Sequence, residues 1–245
     1  MLKEFTPLWL NYIGGNNIKI LITGASRGIG LFLMRRMISD GHEVCGTWNT
    51  TKPEERFKPN LTQVDVTNQD QVSNWVNAVI KPDDQVVVIN CAGNNYNAVA
   101  HKASMERWKH VLEVNLIGTF RVINAVLPFM REKRFGRIVN LSSIVAQKGI
   151  PGTSAYAASK AALWGMTKSI AAENAAKGIT INNLDLGYFD IGMIKDVPEE
   201  MLSVIKKSIP AQKLGDPENI INAVNFIINS DYLTGTSIDI NGGYF

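Results

Sequence analysis

The chain is poor in the residues that build metal sites and disulfide frameworks. It holds 2 cysteines and 3 histidines in 245 residues. Cys45 and Cys91 each fall in or beside an apolar, strand-like run, a setting that suits a small buried side chain. Two thiols in a chain of this size make neither a disulfide framework nor a metal site, and a reducing compartment, the cytoplasm, fits them. His42, His101 and His110 show no metal-ligand spacing, so no metal is expected. Long hydrophobic runs are also missing: none approaches the ~18 apolar residues of a membrane span. Nor is charge of one sign concentrated. Lys plus Arg number 25 and Asp plus Glu 22, a formal excess of +3. The densest basic stretch, Arg131 to Arg137 (REKRFGR), reads as a solvated helix end rather than a nucleic-acid footprint. Neither a polynucleotide nor a membrane is expected as partner.

What remains is an ordinary globular composition, 45% hydrophobic, long enough for one large core. Strand-like runs stand at 18–23, 42–48, 61–65, 85–90, 137–142, 180–186 and 237–242. Helical patterns fall between them, near 28–39, 68–80, 104–131 and from Tyr156 to about Ala176, with a glycine stop beyond. Continuous apolar strands with intervening helices imply parallel crossovers. The expected fold is a single Rossmann-type α/β domain over 18–245, with a doubly wound, mostly parallel sheet and helices on both faces. Turn signals crowd 187–217, an excursion at the strand ends that reads as a lid over a ligand. Residues 1–17 end in Gly-Gly-Asn-Asn and form an N-terminal arm, either packed on the domain, packed on a partner subunit, or flexible.

The first strand runs into ITGASRGIG, Ile22 to Gly30. Glycines at 24, 28 and 30 let the backbone turn tightly at a strand–helix junction and approach a pyrophosphate, which a helix N-terminus favours. The candidate cofactor cradle is therefore Gly24, Ser26, Arg27, Gly28, Ile29 and Gly30. NAD readers place a carboxylate at the end of the second strand. Here that end reads Thr47-Trp48-Asn49-Thr50, with no carboxylate, while Arg27 is placed to meet a 2′-phosphate and Asn49 to assist it. NADP is the expected dinucleotide. Farther on, Tyr156 and Lys160 stand four apart in a small-residue helix, SAYAASKAAL. Such residues are neighbours on a helical surface, and a nearby cation favours an ionised phenol. Spacing alone is met as well by a core aromatic beside a solvated lysine.

These motifs in sequence resemble the short-chain dehydrogenase/reductase family over nearly the whole chain, from Ile18 to the NGG at 241–243. TGASRGIG (23–30), DVT (65–67), NCAG (90–93), EVNLIG (113–118), NLSSIVAQKG (140–149) and YAASK (156–160) carry the resemblance, nearest to the 3-oxoacyl-acyl-carrier-protein reductases. It implies that Tyr156 is the acid that protonates the carbonyl oxygen. Lys160 would hold the nicotinamide ribose and lower the tyrosine's pKa. Ser143 would hydrogen-bond the substrate oxygen, with Ser142 the less fitting of the pair, and Asn115 would anchor a water relay from Lys160. Asp65 and Val66 would lie by the adenine, and Asn90, Ala92 and Gly93 along the cofactor. Two departures stand out. Leu186-Gly187 replaces the usual Pro-Gly, and Ile191 stands where relatives carry a threonine that meets the carboxamide, so Gly187 and Ile191 join the cofactor candidates with their contacts in question. The implied function is NADPH-dependent reduction of a ketone, a 3-oxoacyl thioester first. A keto-sugar, a polyketide or another secondary-metabolite ketone is the alternative, and a non-catalytic cofactor-binding regulator a third. The substrate is a small-molecule or carrier-bound ketone. A homo-oligomer, a tetramer first, is implied too, with Val122, Leu127 and Phe129 on the long helix either exposed apolar contacts for it or part of the core.

Overall fold

The computed structural model describes residues 18–245, so the N-terminal arm at 1–17 lies outside the described residues. Seven strands, β1 (Ile18–Thr23), β2 (Glu43–Trp48), β3 (Leu61–Gln63), β4 (Gln85–Asn90), β5 (Gly136–Ser143), β6 (Ile179–Leu186) and β7 (Ser237–Ile240), form one sheet in the order β3-β2-β1-β4-β5-β6-β7. Every pairing is parallel. The strand order reverses between β1 and β4, which opens a crevice at the carboxyl ends of the strands where a dinucleotide can lie.

Alternation along the strands divides the core in two. Ile20, Ile22, Val87, Ile89, Val139, Leu141 and Leu184 face one side, under α1 (Gly28–Ser39) and α7 (Glu218–Asn229). Leu21, Val86, Val88, Ile138, Ile179 and Ile181 face the other, under α2 (Gln69–Val79), α4 (Thr119–Lys133) and α5 (Ser154–Asn174). Burial of both faces is why these strands read as unbroken apolar runs. On the α5 side the apolar pattern gives way near the strand ends to a buried polar row. Asn90 donates to Asn140, Asn140 to Asn183 and Thr167, and Asn183 to Ser237. These asparagines stand in register on β4, β5 and β6, so each amide meets the next across the sheet.

The helix expected at 104–131 is a composite. Regular α3 (Met105–Leu112) passes into a π-helical turn, Glu113–Gly118, and then into α4. Gly118 lets this turn sit against Val66, where a Cβ would come 2.8 Å from Val66 Cγ2. The whole run Met105–Lys133 is long and apolar enough to cross a bilayer by length and composition. Its apolar side packs on the sheet instead, through Val122, Ile123, Val126 and Met130.

Four expectations change. Val122 is buried, and Leu127 and Phe129 pack half-buried against the same core, so none is an exposed apolar patch. Met105, Ile117 and Phe120, 63%, 41% and 46% exposed, take that place on the run. Arg137 is not at a solvated helix end. It lies buried in β5, donating to the carbonyls of Ile228, Gly136 and Gly178. The third strand stops at Gln63, because Asp65 turns the chain by accepting from the Thr67 N–H and hydroxyl. Finally, 218–229 is a full helix, α7, whose Ile220, Ile221, Val224, Ile227 and Ile228 recur at helical spacing. The excursion before it contains a short 3-10 turn, Gly192–Asp196, and α6 (Glu199–Ser208), tied back where Phe189 bridges Gly215.

Candidate active site

The glycine turn forms where β1 hands the chain to α1. Gly24 has φ +66°, and a Cβ there would stand 2.8 Å from Ala92 Cα, so β1 and the loop after β4 close up only around a bare backbone. Thr47 at the end of β2 braces the turn, accepting from the Gly24 N–H through its hydroxyl and from the Ala25 N–H through its carbonyl. Gly30 is buried in the first turn of α1, Ile29 packs at the margin of the core, and Ser26 is half-buried. No side chain caps α1, and Arg27 at its N-cap is exposed. Gly28, with φ +55°, faces Gly192 of the 187–217 excursion, whose Cα would lie 3.4 Å from a Cβ at 28. Two glycines thus line a side-chain-free slot at an uncapped helix N-terminus, which fits a pyrophosphate.

Asn49 is exposed at the end of β2 and hydrogen-bonds the Asp65 carboxylate. Burial alone would raise the Asp65 pKa, but bonds from Thr67 and Asn49 and the charge of His110 together hold it below the ordinary value. Val66 is buried beneath Gly118. Thr47 is buried and occupied by the turn, which leaves Arg27, Asn49 and Thr50 as the exposed polar groups at this end.

Ala92 and Gly93 follow β4. Thr23 Oγ1 accepts from the N–H groups of Cys91 and Ala92 and fixes this loop beside the glycine turn. Asn90 is buried, and its Nδ2 donates to Asn140 in the sheet's polar row while its Oδ1 has no partner among the described residues. Gly187 packs against β7, where a Cβ would meet Asn241 Cα at 2.7 Å. Ile191 packs half-buried against the α1/α7 core. Cys91 lies beside Lys160, and burial pushes its thiol up to about 12. We therefore expect Cys91 to resist alkylation at neutral pH in the native protein and to react once unfolded, which thiol titration with and without denaturant checks.

Ser143, Tyr156, Lys160 and Asn115 converge at the carboxyl end of β5. Ser143 closes the strand, and its Oγ accepts from the Val145 N–H and shares a hydrogen bond with the Tyr156 hydroxyl. Ser142, its neighbour, is turned the other way, toward the Lys160 carbonyl and Asp185. Lys160 Nζ lies 5.6 Å from the Tyr156 ring centre and donates to the Leu141 carbonyl at 2.6 Å. The π-helical turn presents Asn115, which donates to Ser159 Oγ and the Asn94 carbonyl and accepts from the Asn94 N–H.

Burial raises the Tyr156 pKa, with the Ser143 hydrogen bond opposing it. The expected lowering by Lys160 is absent here, and the reason lies in Lys160 itself. Burial takes its pKa down to about 8, partly opposed by the nearby Asp185 carboxylate. A lysine that has lost its proton by the time a phenol titrates offers that phenol no charge.

The side chains that the sequence reading missed are Asp185, Trp164 and Gln147, which meet beside this set. The available signal was a carboxylate within an otherwise buried run, TINNLDL.

The chain is similar over most of its length to known reductases and dehydrogenases. A family model described as Enoyl-(Acyl carrier protein) reductase matches residues 24–245. The chain is 36% identical over 237 residues to an acetoacetyl-CoA reductase of Rhizobium meliloti, covering 92% of this chain and 97% of that one. It is 33% identical over 234 residues to the 3-oxoacyl-acyl-carrier-protein reductase FabG of Vibrio cholerae, covering 92% and 96%. Among solved structures, the ligand-free aldohexose dehydrogenase of Thermoplasma acidophilum superposes with a TM-score of 0.86 at 29% identity, covering 93% of this chain and 94% of that one.

Proposed function

The chain belongs to the short-chain dehydrogenase/reductase family, oxidoreductases that use a nicotinamide cofactor on a carbonyl or its alcohol, and on that premise we propose that it reduces a 3-oxoacyl thioester to the 3-hydroxyacyl thioester with NADPH. The observation that carries the reading is the convergence of Ser143, Tyr156 and Lys160 beside the glycine slot. When bound, the reduced nicotinamide supplies the hydride. As negative charge grows on the carbonyl oxygen, the Ser143 and Tyr156 hydroxyls donate to it, and Tyr156 gives up its proton. A preorganised donor of this kind is worth about 3 kcal/mol. The raised pKa keeps Tyr156 protonated at neutral pH, which suits reduction. Lys160, still largely charged at neutral pH, would hold the nicotinamide ribose of a bound cofactor in place of the Leu141 carbonyl, and Asn115 would anchor a water that returns a proton to the pair.

The loops around this set wall the pocket. Ala98 N–H donates to the Gly152 carbonyl, joining the 94–103 and 144–153 segments, and the 187–217 excursion is the proposed lid. The relatives named for acetoacetyl-CoA and 3-oxoacyl substrates support the thioester and a place in fatty-acid-type synthesis. The aldohexose dehydrogenase supports a keto-sugar as the second reading. NADPH oxidation measured across acetoacetyl-CoA, a keto-sugar and a simple ketone separates them. The thioester should give the highest kcat/KM, and a keto-sugar above it would replace the first reading with the second.

NADPH is preferred because no carboxylate ends β2 to repel a 2′-phosphate and Arg27 is exposed to pair with it. We expect kcat/KM for NADPH to exceed that for NADH, and Arg27→Ala to narrow the ratio at least tenfold, by steady-state kinetics on one ketone. A wild-type preference for NADH would refute this. The enzyme is proposed to work in the cytoplasm as a homotetramer. Met105, Ile117 and Phe120 on one helical run and Phe226 on α7 supply exposed apolar contacts for two interfaces. Light scattering should give four chains per particle, and a monomer would remove the claim.

A further inference from the structure

Asp185 is wholly buried, and a buried carboxylate persists where donors meet it. Its polar partners come from three separate elements. Trp164 Nε1, on α5, donates to Oδ1 at 3.2 Å. Gln147 Nε2, on the loop that follows Ser143, donates to Oδ2 at 3.3 Å. The Ser142 hydroxyl, on β5, stands against the same carboxylate while donating to the Lys160 carbonyl at 3.3 Å. Each partner is a near neighbour of one part of the catalytic set. Ser142 precedes Ser143. Trp164 stands one helical turn beyond Lys160, on the same face of α5. Gln147 ends the short turn opened by the Val145 N–H bond to Ser143 Oγ. Gln147 also donates to Asp239 Oδ1 at 2.6 Å, and Asp239 pairs in register with Asp185 on β7, so one amide joins two carboxylates that would otherwise repel.

We propose that Asp185 is a positioning residue of this site: its carboxylate ties the end of β5, the helix of Tyr156 and Lys160, and the loop after Ser143 into one rigid frame. The inference rests on the catalytic reading above and names what holds that set in place. Nothing in the sheet requires a charge at this position, since residues 179 and 181 on the same face of β6 are isoleucines in the core. The spacing between Ser143 on a strand and Tyr156 on a helix is set by contacts between strand and helix. A displacement of about 1 Å there can cost on the order of a hundredfold in rate. The carboxylate also places a negative charge near Lys160, whose other neighbours are Cys91 on the loop after β4 and Tyr156 on its own helix.

Three variants test it. Asp185→Ala breaks the frame and should lower kcat by about tenfold to a hundredfold, in keeping with misplaced catalytic groups, while KM for NADPH changes little. Asp185→Asn keeps the shape and removes the charge. It should retain most of kcat and, by removing a negative charge beside Lys160, shift the alkaline limb of kcat/KM to lower pH. Trp164→Phe keeps the ring packing, removes one donor, and should lower kcat by a few-fold with the melting temperature held, so the test survives if Asp185→Ala does not fold. Amide exchange reads the frame without reference to activity. Exchange at Val145 to Lys148 should accelerate about tenfold or more in Trp164→Phe and Asp185→Ala while β4 amides stay protected. Wild-type kcat, pH limb and loop exchange in Asp185→Asn and Trp164→Phe would overturn the proposal. Full activity in Tyr156→Phe would instead overturn the catalytic reading, and the exchange result would still decide the frame.

Discussion

Tyr156→Phe should lower kcat for ketone reduction at least a hundredfold while leaving cofactor binding close to wild type. Removing a general acid costs 10² to 10⁴ in rate, and a hundredfold is about 2.7 kcal/mol of transition-state stabilisation. Phenylalanine keeps the ring, so α5 and its contact with β5 should persist and the melting temperature should move little. What is lost is the proton and the hydroxyl that bonds Ser143. Equilibrium titration with NADPH separates the two effects, because the glycine slot and Arg27 are untouched. Retention of more than about a tenth of wild-type kcat, far above what loss of a general acid allows, would remove Tyr156 from its role.

Lys160→Met is expected to be as damaging and to carry a second signature in pH. Loss of the ribose contact should weaken NADPH binding, and loss of the ammonium should remove about a hundredfold or more from kcat/KM, as for other acid–base groups. The signature follows from linkage. Lys160 titrates near 8 in the fold and at the ordinary 10.5 in the unfolded chain. Between those values the unfolded chain binds more protons, so this group's contribution to stability rises with pH. Below about 8 both states are protonated and the cost of burying the ammonium is present in full; above 10.5 it is gone. The stability of wild type minus that of Lys160→Met should therefore climb across that window and be flat at lower pH. Denaturant titrations at several pH values give this difference, and a flat difference throughout would place the Lys160 pKa elsewhere.

The sheet was legible in the sequence because each strand is buried on both faces and bounded by turn residues. Seven runs of that kind leave little freedom in where strands lie. Helix α7 was not read, although its isoleucines recur at helical spacing. It follows directly on the dense turn signals at 187–217, and an apolar run of 12 residues is short enough to pass for a strand beside them. The π-helical turn at Glu113–Gly118 was not readable at all. It depends on Gly118 fitting against Val66, a contact between residues far apart in sequence. The glycine turn and the Ser143–Tyr156–Lys160 set were legible as spaced residue types, and the fold brings them together. The state of the pair was not, because the Lys160 pKa reflects burial, and burial is a property of the packed chain. Asp185 was passed over for a related reason. A single carboxylate in a strand carries no meaning until the register shows that Ser142, Trp164 and Gln147 all point at it.

The most direct test of the account follows the hydride. NADPH carrying deuterium at its transferable position is mixed with acetoacetyl-CoA, and separately with an unsaturated acyl thioester, and each product is read by mass spectrometry and NMR. Carbonyl reduction by the Ser143–Tyr156–Lys160 set predicts one deuterium on the carbinol carbon of a 3-hydroxyacyl thioester, with the unsaturated thioester left unchanged. Deuterium delivered to the carbon–carbon double bond, with acetoacetyl-CoA left untouched, would contradict it.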